Sequence, residues 1–253
     1  MTNRSRLIAA NWKMNGDAEL VSTMSVALSK VLSKNSSIEV LVCPPNTLLG
    51  SFTTQREFFL GGQNVSQHQK GAYTGETSVS QLEAMACDYA LIGHSERRKL
   101  FDETNALTAE KFLTVANSKL KPVLCIGELL TDREQGNTEK VLKQQLDVVI
   151  AVTEAIHWQN AVIAYEPVWA IGTGKTATPE IAQSAHKFVR DYLAMQSQTA
   201  SISSAIKILY GGSMKPENAA QLLDQPDVDG GLVGGASLDP DSFAAIVSVA
   251  SDF

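Results

Sequence analysis

Apolar residues gather in short, nearly continuous runs: Leu7–Ala10, Val40–Cys43, Phe58–Leu60, Tyr89–Ile92, Val123–Ile126, Val162–Tyr165, Ile206–Tyr210 and Leu232–Val233. Runs of this length without polar alternation suit strands covered on both faces, as in a parallel sheet. Between them the apolar positions take helical spacing. Leu20, Val21, Met24, Leu28, Val31 and Leu32 share one face, as do Val141, Leu142, Leu146, Val149 and Ile150, and Ile181, Ala185, Phe188, Val189, Tyr192 and Leu193. Helix starts are signalled by Thr178-Pro179-Glu180, by Asp239-Pro240 and by a capping box at Ser80 with Glu83. The alternation continues to the end without a linker or a low-complexity stretch. Eight such strands predict an α/β fold, a closed (β/α)8 TIM barrel with eight parallel strands and outer helices, as one domain over residues 1–253. An open doubly wound sheet is the alternative.

Composition narrows the function classes. With 21 Lys+Arg against 27 Asp+Glu the net charge is −6, so the chain lacks the basic excess that a nucleic-acid binder needs. Any anion must be held by a local site. No apolar run approaches the length of a membrane span. The first residues are followed by only four apolar ones before Asn11, too few for a signal-peptide core. Cys43, Cys87 and Cys125 are odd in number and far apart, with neither a disulfide framework nor a metal spacing. These features point to a reducing cytoplasm, with no nucleic-acid or membrane partner.

In such barrels the chemistry collects where strands end and βα loops begin. Strand one ends in Asn11-Trp12-Lys13, strand four in Gly93-His94-Ser95-Glu96-Arg97-Arg98, and strand six in Tyr165-Glu166-Pro167. Singly, Lys13 reads as a solvated charge, His94 as a cap on the next turn, and Glu166 as a partner for a basic neighbour. Together they place an amine, an imidazole and a carboxylate around one mouth. Strands seven and eight end in Gly211-Gly212-Ser213 and Gly234-Gly235, turns whose backbone N–H groups could approach a phosphate, with Ala236-Ser237-Leu238 adding a helix start. Gly174-Lys175-Thr176 is not a P-loop, because Trp169 stands where its first glycine is required.

The segments Ala9-Ala10-Asn11-Trp12-Lys13-Met14-Asn15, Ile92 through Arg98, Ala164 through Lys175, Tyr210-Gly211-Gly212-Ser213 and Leu232 through Leu238 resemble the triosephosphate isomerase family, in order and over the whole chain. The resemblance implies interconversion of dihydroxyacetone phosphate and D-glyceraldehyde 3-phosphate through an enediolate, in glycolysis and gluconeogenesis, without metal or cofactor. It implies Glu166 as base, favoured by desolvation, and a neutral His94 as electrophile. Lys13 and Asn11 would face the substrate oxygen and phosphate. Glu96 would either position Lys13 and His94 or assist proton transfer, and Ser95 would hold Glu166 in an open position. Phosphate would sit on the N–H groups of Gly172, Ser213, Gly234 and Gly235.

The resemblance also makes Pro167 to Thr176 a lid. Pro167-Val168-Trp169 and Lys175-Thr176-Ala177 are then hinges, and Ala170-Ile171-Gly172-Thr173-Gly174 the moving tip. The excursion from Gln63 to Glu76, with Tyr73-Thr74-Gly75-Glu76, resembles the family's dimer loop and implies a homodimer with Thr74 near the partner's active site. Another phosphate-binding barrel, such as a sugar-phosphate isomerase of amino-acid biosynthesis, would share the glycine turns without Asn11, Lys13, His94 and Glu166 together. A binding protein on an inactive barrel would lack at least one of the four. Three residues depart from the family pattern: Thr77, Met214, and Gly231, whose missing side chain is expected to loosen strand eight. Cys125 is expected to pack rather than react.

Overall fold

The computed structural model describes residues 4–33, 38–52, 55–172 and 176–253. Eight parallel strands close into a barrel: β1 (Leu7–Asn11), β2 (Glu39–Cys43), β3 (Phe59–Gly62), β4 (Tyr89–Ile92), β5 (Lys121–Ile126), β6 (Val162–Tyr165), β7 (Lys207–Tyr210) and β8 (Gly230–Val233). Closure comes from β1 pairing with β8, Leu7 opposite Gly230. The eight expected strands are therefore present, in the expected order. Only β4 and β6 keep the expected bounds: β1 extends to Asn11, β2 starts at Glu39, β5 at Lys121 and β7 at Lys207, and β3 and β8 differ through glycine. β3 runs on through Gly61 and Gly62, and β8 starts at Gly230. Glycines pair through the backbone but carry no side chain, so the hydrophobic pattern cannot show them.

Period-two alternation divides the strand residues between two cores. Leu7, Ala9, Leu41, Cys43, Val123, Cys125, Val162, Ala164, Leu209 and Leu232 fill the barrel interior. Their neighbours Ile8, Ala10, Val40, Val42, Ile92, Leu124, Ile163 and Val233 face the helices in a second cluster. Each fully buried Leu or Ile contributes about 1.5–3 kcal/mol, which is why both faces are apolar.

The helices bury the predicted stripes. In α1 (Ala18–Leu32) these are Val21, Met24, Leu28 and Leu32. The connection from β3 to β4 contains α2 (Val79–Ala84), and α3 (Ser95–Leu100) and α4 (Asn105–Ala116) follow β4. After β5 come α5 (Leu130–Glu134) and α6 (Thr138–Ala151), which buries Leu142, Leu146, Val149 and Ile150. Ala182, Ala185, Val189 and Leu193 are buried on α7 (Pro179–Met195). Last come α8 (Pro216–Leu223) and α9 (Pro240–Ala250).

Thr178 and Asp239 cap α7 and α9 as expected, accepting the N–H groups of Ile181 and Ser242. The capping box of α2 lies two residues earlier than expected. Ser78 accepts from Gln81 N while Gln81 Oε1 accepts from Ser78 N at 2.9 Å. Both frames carry a serine followed three residues later by an acceptor. The frame that buries Val79 and Leu82 prevails, which leaves Ser80 inside the first turn.

Candidate active site

The inward alternation of two strands delivers two of the predicted side chains directly. Leu7, Ala9 and Asn11 lie on one face of β1, and Val162, Ala164 and Glu166 continue the inward face of β6 by one residue. Asn11 is 5% exposed and Glu166 2%. Lys13, two residues beyond Asn11, has a left-handed backbone (φ 53°). That conformation is held by Asn11 Oδ1, which accepts Lys13 N at 3.0 Å, and by Gln63 Nε2, which donates to Lys13 O at 2.8 Å and Cys43 O at 2.9 Å.

His94 is positioned by a turn. Gly93 takes φ +70°, and a Cβ there would meet Thr108 Cγ2 at 2.7 Å, so a side chain is excluded by both strain and space. Its peptide is gripped on both sides: Gly93 N donates to Glu103 Oε1 at 3.0 Å, and Arg98 Nε donates to Gly93 O at 2.6 Å. Glu103 is itself fixed by Lys111 at 2.6 Å and Arg97 at 2.9 Å.

His94 is also the N-cap of α3. Its Nδ1 accepts from Glu96 N at 3.2 Å, so a neutral ring carries its proton on Nε2. Nε2 lies 3.0 Å from Glu166 Oε1. The capping role and the site position, alternatives in the sequence, are both occupied by the one imidazole.

The Glu166 carboxylate also accepts Ser95 N at 2.9 Å on Oε2 and Ser95 Oγ at 3.2 Å on Oε1. Burial alone would raise its pKa, yet His94 and the two Ser95 donors outweigh burial and hold it below the ordinary carboxylate value. The expectation that desolvation makes this carboxylate more basic is therefore reversed in this arrangement. Burial pulls the His94 pKa down, but the Glu166 and Glu96 carboxylates together outweigh it, so the net direction in this arrangement is upward, against the expectation of a disfavoured imidazolium.

Glu96 Oε1 is 2.6 Å from Lys13 Nζ, and its Oε2 is 3.7 Å from His94 Nδ1. Its contacts thus run to the two side chains it was expected to position. Cys125 is buried in the barrel interior, where burial drives its thiol pKa well up, so it remains a packed thiol.

One pocket of about 340 Å³ opens among these groups. Its wall includes Asn11, Lys13, His94 and Glu166, with Ile171 and Gly172 from the segment after β6, Ser213 from the turn after β7, and Gly234 and Gly235 from the turn after β8. The turn after β7 lies close to the base, since a Cβ on Gly211 would fall 2.9 Å from Glu166 Cγ. A 3₁₀ turn over Gly235–Leu238 follows β8.

Of the expected lid, Val168–Ala170 form a 3₁₀ turn, and Ser213 Oγ donates to Ala170 O at 3.0 Å. Thr173, Gly174 and Lys175 lie outside the described residues. In the excursion after β3, the His68 and Tyr73 rings stack at 3.9 Å. Thr77 Oγ1 accepts from Asn46 Nδ2 at 2.9 Å, which gives that departure a polar partner.

Three polar residues at the site escaped sequence reasoning. Gln63 and Glu103 act through the backbone of Lys13 and Gly93, as described above. Glu128, fully buried just past the end of β5, accepts from Tyr165 Oη at 3.1 Å and Trp169 Nε1 at 2.9 Å. Arg133 lies over the Trp169 ring at 4.8 Å and so helps fix the same indole. Glu128 and Gln63 both stand just past strand ends, so the rule that singled out Lys13 could have found them.

The chain matches the family described as triosephosphate isomerase over residues 6–250. It is 49% identical over 251 residues to the triosephosphate isomerase of Halorhodospira halophila, covering 98% of this chain and 99% of that protein. Identity is 47% over 251 residues with that of Thiobacillus denitrificans (98% and 99% covered) and 46% over 260 residues with that of Shewanella loihica (99% of each). With a family match over nearly its whole length and a closed barrel that gathers the strand-end residues around one pocket, the chain belongs to the triosephosphate isomerase family.

Proposed function

We propose that this chain, as a single barrel domain over residues 1–253, interconverts dihydroxyacetone phosphate and D-glyceraldehyde 3-phosphate in glycolysis and gluconeogenesis. The observation that carries the reading is the meeting of Glu166, His94 and Lys13 at one pocket that the glycine turns after β7 and β8 also line. The Glu166 carboxylate takes the proton from the carbon next to the carbonyl, leaving an enediolate, and returns it to the neighbouring carbon. His94 donates from Nε2 to the carbonyl oxygen and takes back the proton of the neighbouring hydroxyl, so one proton passes between the two oxygens while Nδ1 stays committed to the Glu96 N–H. Lys13 and Asn11 face the developing oxyanion, where a charge in a water-poor pocket is worth far more than in bulk water.

Glu96 is a positioning residue that holds Lys13 in place. The N–H groups of Gly172, Ser213, Gly234 and Gly235 bind the phosphate dianion. Substrate draws Glu166 away from Ser95 and His94, and loss of those donors in a drier site restores its basicity. The segment from Pro167 to Thr176 closes over the intermediate and excludes water.

A homodimer is part of the same reading. Met14 (94% exposed), Leu100 (66%) and Phe101 (64%) leave large apolar side chains in water on segments adjoining Lys13 and His94. A second copy, its Thr74 reaching toward Asn11 and Lys13, would cover such surface. The three cysteines are unpaired and buried, in keeping with a cytoplasmic location, and among the described residues no helix is long and apolar enough to cross a membrane.

The test is turnover of D-glyceraldehyde 3-phosphate, coupled to reduction of the ketone product, by the native chain and Glu166→Gln. Loss of about 10²–10⁴-fold in kcat is expected. A variant that turns over at the native rate would remove Glu166 from the chemistry.

A further inference from the structure

β7 and β8 share one register pair, Tyr210 with Gly231, fewer than any other neighbouring strands of the barrel. This thinly paired seam carries the two glycine turns on the pocket wall. Met214 lies across it. Met214 directly follows Ser213, is 3% exposed, and belongs to the pocket wall together with Ser213, Gly234 and Gly235. Its thioether fills the space in front of Gly231, where an added Cβ would come within 2.6 Å of Met214 Sδ and 2.8 Å of Cε. The two departures from the family pattern thus meet in one contact, in which an unbranched thioether occupies the space in front of Gly231.

We propose that Met214 and Gly231 form a knob and socket that sets the spacing of the two glycine turns and, through it, affinity for the phosphate end of the substrate. The inference rests on the phosphate reading given above. Donors from two separate loops converge on one dianion only if the loops keep their relative position, since charge-assisted hydrogen bonds need separations of roughly 2.7–2.9 Å. Asp229 N donates to Ile208 O at 2.9 Å and Tyr210 pairs with Gly231, but among the described residues no register pair between β7 and β8 lies closer to the two turns. Met214 adjoins the donor on one loop, and Gly231 lies three residues before the donors on the other. Neither residue is hydrogen-bonded or ion-paired through its side chain to Glu166, His94 or Lys13 among the described residues, so the pair is a positioning device for binding and not for proton transfer.

The test compares native protein, Met214→Ala, Gly231→Ala and the double variant. KM and kcat are measured for each. Inorganic phosphate is titrated while the amide signals of Ser213, Gly234 and Gly235 are followed by NMR, and thermal unfolding reports on the fold. Each single variant is expected to weaken phosphate binding and raise KM about fivefold, with kcat changed by no more than about twofold. The double variant is expected to be no worse than either single one, because the added methyl occupies part of the space that the thioether vacated. If the native amide signals respond to phosphate but the variants bind it as tightly as the native chain, or if the two single effects simply multiply, the knob-and-socket proposal fails and the phosphate reading stands. If the native amides do not respond to phosphate, the phosphate reading fails and takes the proposal with it.

Discussion

His186 makes the stability of this fold depend on pH in a way that can be worked out in advance. It lies on the inner face of α7, fully buried, with its ring edge-on to Tyr165 at 5.7 Å. Nδ1 lies 3.1 Å from Asp227 O and donates to it, while Nε2 has no hydrogen-bond partner among the described residues. A second proton would therefore sit on a buried nitrogen with nothing to accept it. Burial is the largest influence, and although Asp227 and Asp229 pull upward while Arg190 pushes down, the pKa falls from 6.5 to about 4.

The unfolded chain takes up this proton below pH 6.5, and the folded chain only near pH 4. The unfolded state thus binds more protons in that window, and stability rises with pH across it. The His186 contribution is fully present above pH 6.5 and lost as pH falls toward 4. Between pH 7.5 and 5 the loss is about 2 kcal/mol.

The assay is urea unfolding at fixed protein concentration from pH 8 to 5, for the native chain and His186→Leu. The concentration is fixed because any self-association would shift the midpoint. The substitution leaves Asp227 O with a donor, since Arg190 Nη2 also reaches it at 3.3 Å. Subtracting the two curves cancels the groups common to both. The native chain should lose about 2 kcal/mol more than the variant over this range. Parallel curves would refute the argument.

Ser95→Ala removes one of the donors that favour the Glu166 carboxylate, so the Glu166 pKa should rise. The acid limb of kcat/KM, corrected for titration of the substrate phosphate, should then move to higher pH, and an unmoved limb would mean that the hydroxyl contributes nothing. Thr74→Arg, placed in the excursion after β3, should give monomers in sedimentation together with a loss of about tenfold or more in kcat. A monomer with native kcat would contradict dependence of the site on a second subunit.

The barrel was legible because its strands are buried on both faces, so each one writes an apolar run into the chain. Gly61, Gly62, Gly230 and Gly231 were invisible to that pattern because they pair through backbone alone, and Asn11, Glu39, Lys121 and Pro122 because the strand ends are not apolar. Asn11 and Glu166 could be placed for a related reason: a period of two carried one residue past the interior face leaves no choice of direction. Lys13 and His94 followed from their position at strand ends, although the φ of 53° at Lys13 and the turn at Gly93 that aim them were not readable.

What the sequence alone determined, then, is the order of elements, the family, and the set of side chains that gather at one mouth, because these depend on local periodicity and on motifs within a few residues. The tertiary structure decided what those side chains do to one another. Lys13 meets Glu96 across 83 positions and Ser95 meets Glu166 across 71, distances along the chain that only barrel closure brings together. Closure also reverses the expected basicity of Glu166 in the resting site, by bringing three donors to a carboxylate that burial alone would have made more basic. It likewise turns Met214 and Gly231 from two separate oddities into one contact. A hydrogen bond or a packing contact between distant residues is a property of relative position, and relative position is fixed only when the last strand pairs with the first.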